Sequence, residues 1–349
     1  MNKTRLLTPI LAMISYTAYA EGPTVYGNMD VAIASANTPY GTRSEKTGTS
    51  LENWSTLGIK GSEQLSRSLK ILYKMSFQVL NATTDGSSTP LSPYNTYLGL
   101  QSLYGTVLIG RNDTVFKFSE GGVDLFNGSN ADIDRLVAGQ TRSADAIWYY
   151  SPKLANLLTL NATYLMAANQ NVNTTADIGS QYALTAIIGD KNLNDQNFYL
   201  ASSYNAGIAS IDAYRQVAQV KLGKFTLGGL YQQTQSLKTT EKNMKGYTYF
   251  VNLKYDLNGV NLKAEYGADT SGLGGYFTNA TGGTSTLIDR SEYSNINMTQ
   301  ITVGADYLLS ESTRLYSHYI MYQGHYKNSA VVTSLQNDNI FTVGVDYTF

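Results

Sequence analysis

Cysteine is absent from the 349 residues, which excludes a disulfide framework and any cysteine-ligated metal site. Proline occurs six times and histidine twice. Charge is scarce at 15% of residues, against roughly 25% in ordinary soluble domains. The 25 basic and 26 acidic residues balance to −1, so no polyanion-binding surface is offered and nucleic acid is not an expected partner. No segment after the N-terminus offers the run of about 18 apolar residues that a membrane helix needs. The nearest candidate, 154–176, is broken by Asn156, Thr159, Asn161 and Thr163. Neither a phosphate-cradling glycine loop nor a metal-ligand cluster is present, so no cofactor is expected. Tyrosine (28), glycine (31) and uncharged polar residues take the place of charge. That composition points to many β-strands.

The first twenty residues read as an export signal. Lys3 and Arg5 precede a short, mostly apolar run from Leu6 to Ile14, and Ala18-Tyr19-Ala20 is a small-x-small cleavage site. Cleavage after Ala20 leaves 21–349 as one unit with 23 basic and 26 acidic residues, a charge of −3.

Elsewhere the hydrophobic period is two. Leu69, Ile71, Tyr73, Met75, Phe77 and Val79 alternate with Lys70, Lys74, Ser76 and Gln78. Phe341, Val343, Val345, Tyr347 and Phe349 alternate with Thr342, Gly344, Asp346 and Thr348. Short turns at 64–68, 223–224, 258–259 and 310–312 alternate with long polar insertions at 36–49, 81–93, 167–195, 272–298 and 325–337. About sixteen strands result, the piece around 207–222 being the least regular. An apolar, aromatic face against a polar face, with alternating short and long connections, is the pattern of a transmembrane antiparallel β-barrel. A soluble β-sandwich would bury the apolar face instead. Tyrosines at segment ends suit an interfacial girdle better, and so many strands need a closed sheet to leave no open edge.

One insertion differs from the others. Residues 113–143 show little alternation yet hold Phe116, Phe118, Leu125, Phe126, Ile133, Leu136 and Val137. Such a segment is too apolar for an external tail and is expected to fold inward, with its acids toward water.

Several motifs carry a resemblance. They are Thr24-Val25-Tyr26-Gly27 with Asp30, Leu57-Gly58-Ile59-Lys60-Gly61-Ser62-Glu63, Tyr104-Gly105-Thr106-Val107 running to Gly110-Arg111-Asn112-Asp113-Thr114, Tyr149-Tyr150-Ser151-Pro152, and the terminal Phe349 with Tyr347 two before it. In order and spacing they resemble the general porins of Gram-negative outer membranes. The resemblance implies an all-β barrel of sixteen strands, usually a homotrimer, in outer-membrane lipid and lipopolysaccharide, passing small hydrophilic solutes and ions. It implies that the third long loop narrows the lumen, and that Phe349 is read by the barrel-assembly machinery. Arg111 takes the place of the family's basic constriction residue.

A constriction needs carboxylates facing cations across the narrowest section, where low-dielectric walls focus the field. The basic candidates are Arg111 by motif, Lys70 and Lys74 by parity, and Arg135 and Arg142 where the loop is expected to rejoin the barrel. The acidic candidates are Asp124, Glu120, Asp132 and Asp134. Thr56 and Asn28 stand where enterobacterial members often carry basic residues, so the basic cluster is thinner or rebuilt from Lys70 and Lys74.

Three other readings compete, one of them an adhesin or receptor barrel with the loops as the functional part. A sugar-specific channel needs an aromatic track in the lumen, and Trp148, Phe250, Tyr316 and Tyr322 are the inward-parity aromatics. A hydrolase needs a Ser/His/acid constellation. His318 on a strand and His325 in an expected external loop have no motif neighbours.

Overall fold

The computed structural model describes residues 20–83, 89–167, 179–283 and 288–349. The expected export signal therefore lies outside the described residues up to position 19. Strands dominate, and they close into one antiparallel barrel. β1 (Ala20–Ala36) pairs along its first half with β3 (Thr56–Ser66) and along its second half with β2 (Gly48–Asn53). β2 and β3 thus form one stave, broken at Trp54 and Ser55. The staves continue as β4 (Leu69–Val79), β5 (Leu91–Ser102), β6 (Gly105–Asp113), β7 (Arg142–Tyr150), β8 (Leu158–Leu165) and β9 (Tyr182–Gly189). Then follow β10 (Phe198–Ala206), β11 (Ile211–Leu222), β12 (Phe225–Ser236), β13 (Lys245–Leu257) and β14 (Val260–Asp269). β15 (Tyr293–Leu308) and β16 (Thr313–Asn328) lead to β17 (Val331–Ser334) and β18 (Asp338–Thr348), which both pair with β16 and form the last stave. β18 returns to β1, with Val345 opposite Val31. Eighteen hydrogen-bonded segments make sixteen staves.

The period-two pattern has a direct physical outcome. Met75, Val251, Val303 and Val343 are exposed, while their neighbours Ser76, Asn252, Thr302 and Thr342 are buried. In a closed barrel the exposed apolar set faces outward and the buried polar set faces inward. Tyrosines gather near both rims. At the short-turn end Phe225 lies 4.7 Å from Tyr255, and Tyr149 donates to the carbonyl of Tyr104 at 2.7 Å. At the long-loop end Tyr231 stacks on Tyr247 at 5.8 Å. Two-residue hairpins set the register. Leu257 faces Val260 across Asn258-Gly259, whose positive φ angles of 54° and 99° match the right-handed strand twist.

Several expected connections need correction. Residues 167–195 are not one insertion, because β9 occupies 182–189. Its Leu184 and Ile188 alternate with Ala183, Thr185 and Ile187, and the inward Ile187 hides the period. Residues 325–337 are largely strand, since β16 and β17 form a hairpin. His325 consequently sits on β16, opposite Ser334, and not in a loop. The irregular piece at 207–222 is a short 3-10 turn followed by β11.

Candidate functional site

The segment after β6 begins with α1 (Val115–Phe118), capped by the Thr114 hydroxyl on the Lys117 amide at 3.1 Å. It ends beyond a 3-10 turn over Ile133–Arg135, capped by Asp132. Between β6 and β7 this loop meets nine consecutive strands. The Val115 amide donates to Thr163 of β8 and its carbonyl accepts from Thr185 of β9. Tyr199 of β10 reaches the Ser119 carbonyl at 3.0 Å, and Gln219 of β11 reaches Gly122 at 2.8 Å. Gln232 of β12 bonds Ala138, and Asn252 of β13 bonds Val123. Lys263 of β14, Gln300 of β15 and Tyr322 of β16 then donate to the carbonyls of Leu125, Ala131 and Asn130 at 2.9, 2.9 and 2.7 Å. Backbone acceptors that burial would otherwise leave unpaired are thereby satisfied.

Apolar side chains of the loop complete the contact. Phe116, Val123, Ile133, Leu136 and Val137 are at most 1% exposed. Val123, Ile133, Leu136 and Val137 pack with Phe250, Ile320 and Ile340 of the wall, and Phe116 joins Trp148 and Ile211. Phe118 departs from the rest. It remains exposed beneath the Lys191 ammonium, 4.5 Å from its ring centre. Residues 270–283 fold onto the same loop through α2 (Gly275–Ala280). A Cβ at Gly274 would lie 2.5 Å from the Arg135 carbonyl oxygen and the Leu136 backbone, so only glycine fits that approach.

The acids of the loop are not all water-facing. Glu120 and Asp124 are 8% and 9% exposed. Glu120 pairs with Lys117 at 3.5 Å and accepts from Gln140, while Asp124 accepts from Asn127 at 2.9 Å. The loop lies so close to the wall that these carboxylates are enclosed with it. Burial pushes both carboxyls up, and for Asp124 the nearby Asp132, Glu120 and Glu265 push in the same direction. Burial opposes the charge on Lys117, but Glu120, Asp132, Asp113 and Asp124 together hold its ammonium above the usual lysine value. Asp132 spends both oxygens on the amides of Gly128 and Asp134. Asp134 keeps 44% of its side chain exposed, 3.5 Å from Arg135. Arg135 itself lies in the 3-10 turn of the loop, and not on the wall where the loop rejoins the barrel.

Staves β1 to β6 donate to no carbonyl between residues 115 and 138 among the hydrogen bonds described, although the Arg43 amide of the β1–β2 connection reaches Asn130 Oδ1 at 3.0 Å. Their inward positions form a basic, phenolic face. Arg142, at the start of β7, pairs with Asp113 at 2.9 Å and lies 3.6 Å over the Tyr94 ring. Arg111 neighbours both of those charges and follows Gly110, whose φ of 132° interrupts the strand alternation. Lys74 faces inward with Ser76, as its parity requires. Lys70 shares that face four residues nearer the short-turn end, a separation of about 13 Å at strand rise. Lys60 lies directly opposite Lys74.

Beneath the loop a second network joins Lys263 with Asp306, Arg314 with Asp346 at 3.1 Å, and Tyr316 with Asp30 at 2.6 Å. His318 stacks on Tyr316. Trp148, Phe250 and Tyr322 are wholly buried under the loop.

A family model described as "Gram-negative porin" matches residues 8–330. The chain belongs to the Gram-negative porin family. It is an outer-membrane β-barrel protein. The porin is 25% identical over 168 residues to the "Major outer membrane protein P.IB" of Neisseria sicca, covering 47% of this chain and 45% of that protein. The chain thus spans less than half the length of the curated relative it matches. Its fold is similar to the anion-selective porin of Comamonas acidovorans, with a TM-score of 0.67 and 18% identity over 94% of this chain and 99% of the other. It is also similar to Salmonella typhi OmpF in complex with daunomycin, with a TM-score of 0.65, 14% identity, and coverage of 94% and 97%. The trimer form of OmpT, an outer membrane protein of Vibrio cholerae, gives 0.65, 14%, 94% and 99%.

Lys60, Lys117, Arg215 and Lys263 are among the residues of this site that escape the sequence reading. Lys60 carries a signal that could have found it, because it shares parity with Gly58 and Ser62 on β3. Arg215 lies in the stretch whose alternation is least regular.

Proposed function

We propose that the porin is a general diffusion channel, passing small hydrophilic solutes and ions through a water-filled lumen narrowed by the inward-folded loop 113–143. The observation that carries this reading is the run of hydrogen bonds from β8 to β16 to the loop backbone, set against a basic wall on β3, β4, β6 and the first residue of β7. Solutes then pass between the loop, with Asp132 and Asp134 as its more exposed acids, and the wall of Lys60, Lys70, Lys74, Arg111 and Arg142. Charges of opposite sign facing each other across low-dielectric walls align polar solutes and reject apolar ones. Export through the signal at 1–20, folding of 21–349 as one barrel domain, assembly guided by Phe349, and a homotrimer in lipid and lipopolysaccharide complete the reading.

The burial of Trp148, Phe250 and Tyr322 under the loop withdraws three of the four inward-parity aromatics from water, which disfavours a sugar-specific channel. His318 packs between Tyr316 and Phe126, and His325 lies on β16 opposite Ser334. Planar-bilayer recording of the refolded protein tests the proposal. Conductance that rises in proportion to salt supports it, and saturable flux of one sugar would favour the specific channel.

A further inference from the structure

The strongest feature outside the loop contacts is a pair of lysines on the free wall. Lys60 of β3 and Lys74 of β4 are direct partners in antiparallel register, which places their Cα atoms about 5 Å apart. Like charges in that position destabilise a sheet. Several inward cations of this porin have a carboxylate within reach, as Lys117, Arg142, Lys263 and Arg314 do. Lys60 and Lys74 make no ion pair among the described residues. Instead both ammoniums lie over one ring, that of Tyr26, at 4.9 and 5.3 Å from its centre. Such contacts leave the formal charge uncancelled.

The surroundings keep this place open and ordered. Gly58 stands across from Tyr26, and a Cβ there would come within 2.9 Å of the Tyr26 hydroxyl and 2.7 Å of the Ser76 side chain. The row continues from Lys74 to Tyr97. Lys60 is exposed while lying on the inward face, so its ammonium meets lumen water.

We propose that Lys60, Tyr26 and Lys74 form an anion station on the channel wall that takes compact oxyanions carrying two negative charges, the class to which inorganic phosphate belongs. Two ammoniums over one ring, neither in an ion pair among the described residues, carry a charge that one dianion neutralises, whereas one chloride cancels only half of it. The ring of Tyr26 holds both lysines in place before the anion arrives, which lowers the ordering cost of binding. This rests on the channel reading, since the station acts on solutes only if the lumen is open to them.

The test uses the refolded full barrel in detergent, titrated calorimetrically with inorganic phosphate at pH 8 and compared with Lys60→Gln, Lys74→Gln and the double variant. Both lysines face the lumen, and circular dichroism checks that each barrel is intact. Saturable binding, weakened tenfold or more in the double variant and partially in each single one, supports the station. Binding at pH 5.5, where phosphate is a monoanion, is expected to be weaker in the wild type. No saturable binding, or binding within twofold of wild type in the double variant, overturns it. Phosphate block of chloride current in bilayers separates the two readings. A barrel that conducts chloride without binding phosphate overturns the station alone, and one that binds phosphate without conducting overturns the channel alone.

Discussion

Arg215 holds the Phe116 ring and the Phe116 backbone at once. Its guanidinium lies 4.1 Å from the ring centre and donates through Nη1 to the Phe116 carbonyl at 2.9 Å. Through Nη2 it also meets the carbonyl of Ala138 and the side chain of Gln140, while Nε bonds Gln232 at 2.7 Å. Residues 116 and 138 lie near the two ends of the loop, so one wholly buried side chain clasps both. Gln140 then donates to Glu120, which links the clasp to Lys117.

Removing the clasp should loosen the loop and spare the barrel. Arg215→Met removes the charged donor shared by the carbonyls of Phe116 and Ala138, which keep only Ser119 and Gln232, at about 1.5–3 kcal/mol for each lost bond to a charged group. The expected outcome is a lower unfolding temperature with unchanged strand content, faster proteolysis within 114–141, and noisier single-channel current. Loop proteolysis at the wild-type rate would contradict this role.

The enclosed acids give a pH dependence whose sign follows from their direction. Burial raises Glu120 above its ordinary 4.5 and Asp124 well above 3.8. A raised folded value means that stability is fully present below the unfolded value and is lost as pH rises through the folded one. Unfolding temperature should therefore increase as pH falls from 7 toward 5, by roughly 2–4 °C per kcal/mol for a chain of this order of size. Asp124→Asn should flatten that change without lowering stability at pH 7. A marked loss at pH 7 would show that the Asp124 charge is needed.

Close backbone approach at Gly274 makes a steric prediction. Gly274→Val drives a side chain into the backbone of Arg135 and Leu136, at a cost of about 1–3 kcal/mol. Heat denaturation should register the loss, and Gly22→Val, where a Cβ meets nothing within 4 Å and the backbone is not left-handed, provides the comparison for space. Equal effects at both positions would remove the packing argument.

Parity can be tested at the lipid face. Val303 is 50% exposed and lies between Thr302 and Gly304 on β15. Val303→Arg should cost about 2–4 kcal/mol if it lies near the bilayer midplane, and Val303→Leu should be nearly neutral. Urea unfolding from lipid vesicles measures both. An arginine tolerated as well as leucine would place residue 303 in water.

Most of the fold is legible in the sequence, because an outward apolar residue and an inward polar residue leave opposite marks at alternate positions. The last stave shows this from Phe341 to Thr348. Legibility fails where the inside is itself apolar. Ile187 on β9 and Val217 on β11 pack under the loop, so their strands lose the alternation and were harder to place. The candidate site is less readable for a similar reason. Parity brings out Lys74, but nothing local shows that Glu120 and Asp124 are enclosed by a loop pressed to the wall. Arg215 owes its importance to residues 99 and 77 positions away, a distance no sequence period spans.

The central claim is that water and ions cross between the loop and the basic wall. Single-channel recording of the refolded porin in planar bilayers, under a salt gradient, tests it most directly. Conductance steps that grow almost in proportion to salt, closing in groups of three, are the expected result. A correctly folded, inserted barrel that yields no steps would contradict the account.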